Sequence, residues 1–209
     1  MAPRATSMAP AERRQAILAA LIPLLVEKGG ELSTREIAEA AGIAEGTIFR
    51  VFPDKAALLH AAAEDVLAPA ALDEALATSL DGVTGLRDRV LVATRRLEER
   101  AEKVTAVMMA MRAAAAAGEE HDHRRARGGP PQYFVDAQHA LLELLTRVFA
   151  PPADELAVPP RTAAVLLRAL AMGARHPGAT HAELTADVIA DVLLDGIRAQ
   201  GRTAQRKDR

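Results

Sequence analysis

The stretch from Ser33 to Leu59, STREIAEAAGIAEGTIFRVFPDKAALL, decides the fold. Its first four residues, Ser33-Thr34-Arg35-Glu36, have the spacing of a capping box, in which the Ser33 side chain bonds the Glu36 amide and Glu36 reaches back. A short helix is therefore expected from Thr34 to Ala41. Gly42 ends it, at a turn that needs positive φ. Only three residues later Glu45 to Val51 read as a second short helix, with Ile48, Val51 and Phe52 available for burial. Pro53 and Asp54 punctuate, and Asp54 is placed to cap a further helix reaching about Ala68. Leu58, Leu59, Ala62 and Val66 supply its apolar face.

Two short helices joined by a Gly-containing turn make a helix-turn-helix. Ile37 and Ala38 face inward, and Ile48 pins the second helix against the first. That leaves Glu45, Gly46, Thr47, Phe49 and Arg50 on the outward side, and a helix of this diameter fits the major groove of B-DNA. The local pattern alone also allows an ordinary helical bundle with the same turn. Glu45 has its own bland reading, a solvated first-turn charge that favours the helix dipole.

Working outward, residues 1–9 lack periodicity and read as a flexible arm. A helix is expected from about Pro10 to Lys28, stopped by Gly29 and kinked at Pro23. Its apolar run Ile17 to Val26 superficially matches an export signal. The run is too short to span a bilayer, Pro23 interrupts it, and Glu27-Lys28-Gly29-Gly30 stands where a cleavage site would be, so a cytoplasmic chain without a membrane partner is expected. Beyond a loop at Asp81 to Gly85, five helices are expected: Leu86 to Arg100, Lys103 to Ala117, Gln132 to Phe149, Arg161 to Arg175 and Ala182 to Ala199. Breakers such as Gly128-Gly129-Pro130-Pro131 and Pro159-Pro160 separate several of them. The 209 residues are half apolar but only 2% aromatic, and no alternating β-branched run occurs, so the fold class is all-α. Residues 201–209 read as a polar, flexible tail.

The headpiece residues closely resemble the DNA-binding domain of TetR-family transcriptional regulators. The likeness includes the first-helix ending Glu27-Lys28-Gly29 and the run Phe52-Pro53-x-Lys55-x-x-Leu58, and covers roughly residues 12 to 60. It implies an N-terminal three-helix helix-turn-helix domain, residues 10–53, followed by a helical-bundle domain for ligand binding and dimerisation, residues 54–200. It also implies function as a repressor that binds a palindromic double-stranded DNA operator as a homodimer and is released by a small-molecule effector. Carried over residue by residue, Ser33 caps the second helix, Thr34 is suited to a phosphate, Thr47 and Arg50 contact base or phosphate, and Lys55 anchors a phosphate. Arg35, Glu45, Gly46 and Phe49 complete the DNA-binding set. Phe49 stands where the family usually has Tyr, and Ala44 where a Ser or Thr cap is common. Both departures suggest a weaker or more ligand-sensitive DNA complex.

The remaining sequence carries fainter signals. Val104, Val107, Met108 and Met111, with Tyr133, Phe134 and His139, are candidate effector contacts because Met-rich linings adapt to apolar ligands. The same stripe also reads as ordinary core. For the dimer, the expected contacts are Leu166, Ala169, Leu170 and Gly173, with Val188, Val192 and Gly196, though those faces also suit the chain's own core. The run Glu119-Glu120-His121-Asp122-His123 offers metal-ligand types, yet its Gly- and Pro-bounded setting favours a solvated connector. A helical metal-dependent enzyme using His121 and His123, or a DNA-binding activator without a ligand, are the competing readings. The absence of cysteine removes disulfides and thiolate chemistry, and no nucleophile, phosphate-loop or dinucleotide motif is present. No catalytic residue, cofactor or metal is therefore expected. The net charge of −2 argues against DNA only if position is ignored. In residues 1–60 basic and acidic residues balance, so recognition depends on where Arg4, Arg35, Arg50 and Lys55 stand.

Overall fold

Residues 9–30, 32–118, 131–150, 155–174 and 183–197 are described by the computed structural model. The chain is all-α. Its elements are α1 (Pro10–Lys28), α2 (Thr34–Ala40), α3 (Glu45–Val51), α4 (Lys55–Leu67), α5 (Pro69–Leu80), α6 (Leu86–Ala116), α7 (Gln132–Phe149), α8 (Pro160–Gly173) and α9 (Ala186–Ile197).

Local chemistry sets the ends of the first four helices. Pro10 opens α1, where its missing N–H costs nothing, and the Glu12 carboxylate accepts the Ala9 amide at 2.9 Å. Gly29, at φ 76°, closes it by donating its N–H to the Leu25 carbonyl. Pro23 lies inside α1 without ending it. The expected capping box is formed at α2: Ser33 Oγ accepts the Glu36 amide at 3.3 Å, while Glu36 accepts the Ser33 amide at 3.0 Å. In the turn, Gly42 takes φ 66° and Ile43 donates to the Ala38 carbonyl. Asp54 caps α4 through the Ala57 amide at 2.7 Å.

Two corrections concern the middle of the chain. The two helices expected over Leu86 to Arg100 and Lys103 to Ala117 are one helix of 31 residues, α6. Ala101 and Glu102 are good helix formers with no Gly or Pro beside them, so nothing interrupts the backbone ladder. The second is that the residues between Ala68 and Asp81, for which the sequence predicts no helix, form α5, with Pro69 at its first position and Asp73 and Glu74 within it.

The chain divides into two compact units, one of residues 1–68 and 100–135, the other of residues 69–99 and 136–209. In the first, Ile17, Leu21 and Leu25 of α1 meet Ile37, Ile48, Phe52 and Leu58, and α6 adds Val107, Ala110 and Ala114. Each fully buried Leu or Ile contributes about 1.5–3 kcal/mol as an upper estimate. The guanidinium of Arg100 lies against the end of α4, donating to the carbonyls of Leu67 at 2.9 Å and Ala68 at 3.5 Å. Burial pushes its pKa down, but an arginine here stays charged and suits the negative end of the helix.

In the second unit Leu76, Val90, Leu97, Leu145, Phe149, Leu167 and Leu194 are buried together. Arg87 reaches Asp191 at 2.8 Å and Asp187 at 3.2 Å, tying α6 to α9. The buried hydroxyl of Thr94 is satisfied by the Val90 carbonyl. Among the described residues no helix is long and apolar enough to cross a membrane.

Candidate nucleic-acid interface

Recognition by a helix-turn-helix depends on holding a short second helix rigidly while leaving its outer face bare. Seven-residue helices such as α2 and α3 would not persist alone in water. Tertiary packing supplies what their length does not: Ile37, Ala38 and Ile48 are all at most 2% exposed. α1 packs against α2, α3 and α4, and α2 against α3.

The outer face is polar and charged. Glu45, Gly46, Phe49 and Arg50 of α3 are exposed, and Thr47 is half-buried. On α2, Ser33 and Arg35 are exposed and Thr34 is half-buried. The Thr34 hydroxyl donates to the Glu45 carboxylate at 2.5 Å, joining the first turns of the two helices. Arg35 pairs with Glu39 at 2.9 Å one turn along α2, which raises its pKa through that hydrogen bond and charge. A phosphate approaching Thr34 or Arg35 therefore competes with an acidic side chain already bound there. Arg50 makes no ion pair among the described residues, so its guanidinium is available without such an exchange. Lys55 begins α4 beside its cap Asp54, half-buried. Ala44, at the start of α3, gives no side-chain cap, as expected from its methyl group.

Behind this face, Lys28 of α1 donates to Glu36 at 3.0 Å. The Ser33 amide, Lys28 and the Ser33 hydroxyl together pull the Glu36 carboxyl from 4.5 to about 2. The α1 terminus is thus tied electrostatically to the start of α2. Arg14 lies over the Phe52 ring with its guanidinium carbon 5.1 Å from the centroid, a contact that fixes α1 against the end of α3.

The other candidate residues fall as follows. Val107 is wholly buried, and Met108 and Met111 pack on the same core. Val104, Tyr133 and Phe134 are half-buried, while His139 is exposed. Met111 also lines a shallow recess with Ala56, Leu59, His60, Ala114 and Ala115. The Glu119 to His123 run, and with it His121 and His123, lies outside the described residues. Among the described residues no group of three or more His, Cys, Asp or Glu could hold a metal ion.

Leu166, Ala169, Leu170, Gly173, Val188, Val192 and Gly196 are all exposed. Of the nine large apolar side chains exposed among the described residues, seven lie between positions 165 and 192: Val165, Leu166, Leu170, Met172, Leu184, Val188 and Val192. The inward face of α8 is by contrast built mainly from Ala163, Ala164, Leu167 and Ala171. A helix that buries alanine and exposes Val, Leu and Met inverts the usual logic of a monomer core. Val165 and Met172 were not singled out by sequence; the Ala spacing of α8 was the signal that could have found them.

Comparison with known proteins agrees with this geometry. Residues 17–62 match the model for bacterial regulatory proteins of the tetR family. No curated protein matches the chain. Among solved structures, a TetR transcriptional regulator from Streptomyces coelicolor is 26% identical, with 90% of this chain and 99% of that one covered and a TM-score of 0.61. The superantigen PfiT, at 19% identity, covers 92% of this chain and 100% of its own with a TM-score of 0.60. A protein of unknown function from Rhodococcus sp. RHA1, at 24% identity, covers 90% and 96% with a TM-score of 0.58. The last two show a shared fold alone, and a fold common to a superantigen and a transcriptional regulator leaves function to be argued from the site. With its helix-turn-helix assembled in the expected place, the chain carries over residues 17–62 a headpiece that matches the bacterial regulatory proteins of the tetR family, and over most of its length it is similar in fold to a TetR transcriptional regulator.

Proposed function

We propose that the protein is a cytoplasmic, ligand-responsive repressor that binds a palindromic DNA operator as a homodimer and leaves it when a small-molecule effector binds. Residues 10–53 carry recognition of DNA in this reading, and residues 54–200 carry effector binding and dimerisation. The observation that supports it most is the apolar face of α8 and α9, because a twofold pair of chains joined there presents two copies of α3 to two half-sites.

Release requires the effector to bind the DNA-incompetent arrangement more tightly. A hundredfold change in occupancy needs about 2.7 kcal/mol of differential affinity. α4 is the natural lever, since Lys55 stands at its start and Arg100 of α6 holds the carbonyls at its end. A shift of α6 is thereby passed to the Lys55 end of α4. Met108, Met111 and Tyr133 remain partly accessible, and Tyr133 is the sole Tyr of the chain, so a ligand against it changes the Tyr fluorescence.

Val192→Asp tests the assembly. Val192 is 60% exposed, so the substitution spares the monomer's core while placing a charge in the proposed interface. Sedimentation should show a monomer whose melting curve matches the parent chain, with affinity for a two-half-site duplex reduced at least about a hundredfold as the linkage between headpieces is lost. A Val192→Asp chain that remains dimeric and binds with parental affinity would sink this assignment.

A further inference from the structure

Phe49 is an aromatic ring with no visible structural duty. Its neighbour Ile48 and the α3 cap Phe52 are 1% and 2% exposed and belong to the headpiece core, whereas Phe49 is 50% exposed and is not packed against that core. In a chain that is 2% aromatic, a phenyl ring left in water on the recognition helix calls for a partner. Helical spacing puts it one turn beyond Glu45 and next to Arg50, both of which are exposed. Gly46, three residues before it, offers no side chain to cover the ring, and a Cβ built there meets nothing within 4 Å.

A phenyl group neither donates nor accepts a conventional hydrogen bond, so it gains nothing specific from a phosphate oxygen or from the polar edges of guanine, adenine or cytosine. The major groove presents one apolar group, the C5-methyl of thymine. We infer that Phe49 is a specificity-determining residue that reads a thymine in each half-site by burying its C5-methyl group. The inference rests on the DNA-binding reading above and adds to it a base and an atom. It also gives the replacement of the family's usual Tyr a positive consequence: the lost hydroxyl leaves an edge suited to a methyl rather than to an anion.

The test uses the full chain and a duplex obtained by selecting bound sequences from a random library. Each thymine is replaced singly by deoxyuridine, which removes the methyl and nothing else, and binding is followed by fluorescence anisotropy for the parent and for Phe49→Ala. One replacement per half-site should weaken the parent about three- to fivefold, the scale of one buried methyl group. Phe49→Ala, changed in both subunits, should lose both contacts and be weakened by the square of that factor, on the order of nine- to twenty-five-fold, on the thymine duplex, and be indifferent to uracil there. Melting curves check that both chains are equally folded. Uracil tolerated by the parent at every position overturns the inference. So does a Phe49→Ala chain that keeps the parental sensitivity to uracil, and so does an equal loss on all duplexes, which would place the ring on the sugar-phosphate backbone. If the parent retains no sequence at all from the library, it is the DNA-binding reading that fails.

Discussion

Glu36 holds three groups at once, and the pH dependence of folding follows from them. Its carboxyl lies at about 2 because the Ser33 amide, Lys28 and the Ser33 hydroxyl all favour the ionised form. The unfolded chain takes up this proton near 4.5, before the folded one does, so the contribution is complete above about 4.5 and is lost as pH falls towards about 2. Glu36→Gln keeps the capping-box geometry and removes the charge. Its urea midpoint should therefore fall less steeply with pH across that window than the parent's, and equal slopes would contradict the assignment. The box was legible in the sequence because it joins residues three apart, within one turn. The bond from Thr34 to Glu45 was not, because it depends on how the Gly42 turn folds α3 back beside α2.

At the scale of elements, the last part of α6 is built into the headpiece core, and Gly30 records how closely. A Cβ at Gly30 would lie 3.0 Å from the Cα of Ala110, so the loop between α1 and α2 rests on the backbone of α6. Gly46 in α3 has open space instead. Opposite signs follow for the same chemical change. Gly30→Ala should cost about 1–3 kcal/mol by overpacking, while Gly46→Ala should stabilise by up to about 1 kcal/mol through helix propensity. Urea denaturation of the two variants checks this, and shifts of the same sign would contradict it. Sequence punctuation marked most helix ends well, yet it could not say which core a helix joins. The charged stretch from Arg95 to Lys103 dilutes the apolar periodicity without breaking the helix, so one long helix reads as two. Pro69 has the same ambiguity, since a proline that ends one helix also starts the next.

For the whole molecule, the uneven placement of apolar surface matters more than the net charge of −2. Val188 and Val192 fall at apolar positions of α9 in the sequence, but periodicity alone cannot separate a face turned to the chain's own core from one turned to a second copy. Only the burial of Ile189, Ala190, Leu193 and Leu194, with Val188 and Val192 left outside, distinguishes them. The same holds for DNA recognition: basic and acidic residues balance over residues 1–60, and among the described residues Arg35 is ion-paired with Glu39 while Arg50 makes no ion pair. Affinity should accordingly be modest and fall steeply with salt. The central claim, a dimer that offers two α3 helices to two half-sites, is tested most directly by selecting bound duplexes from a random library with the full chain. The expected result is an enriched inverted repeat, with half-sites about one helical turn apart or slightly more; enrichment of a single unrepeated site, or of no sequence, would contradict it.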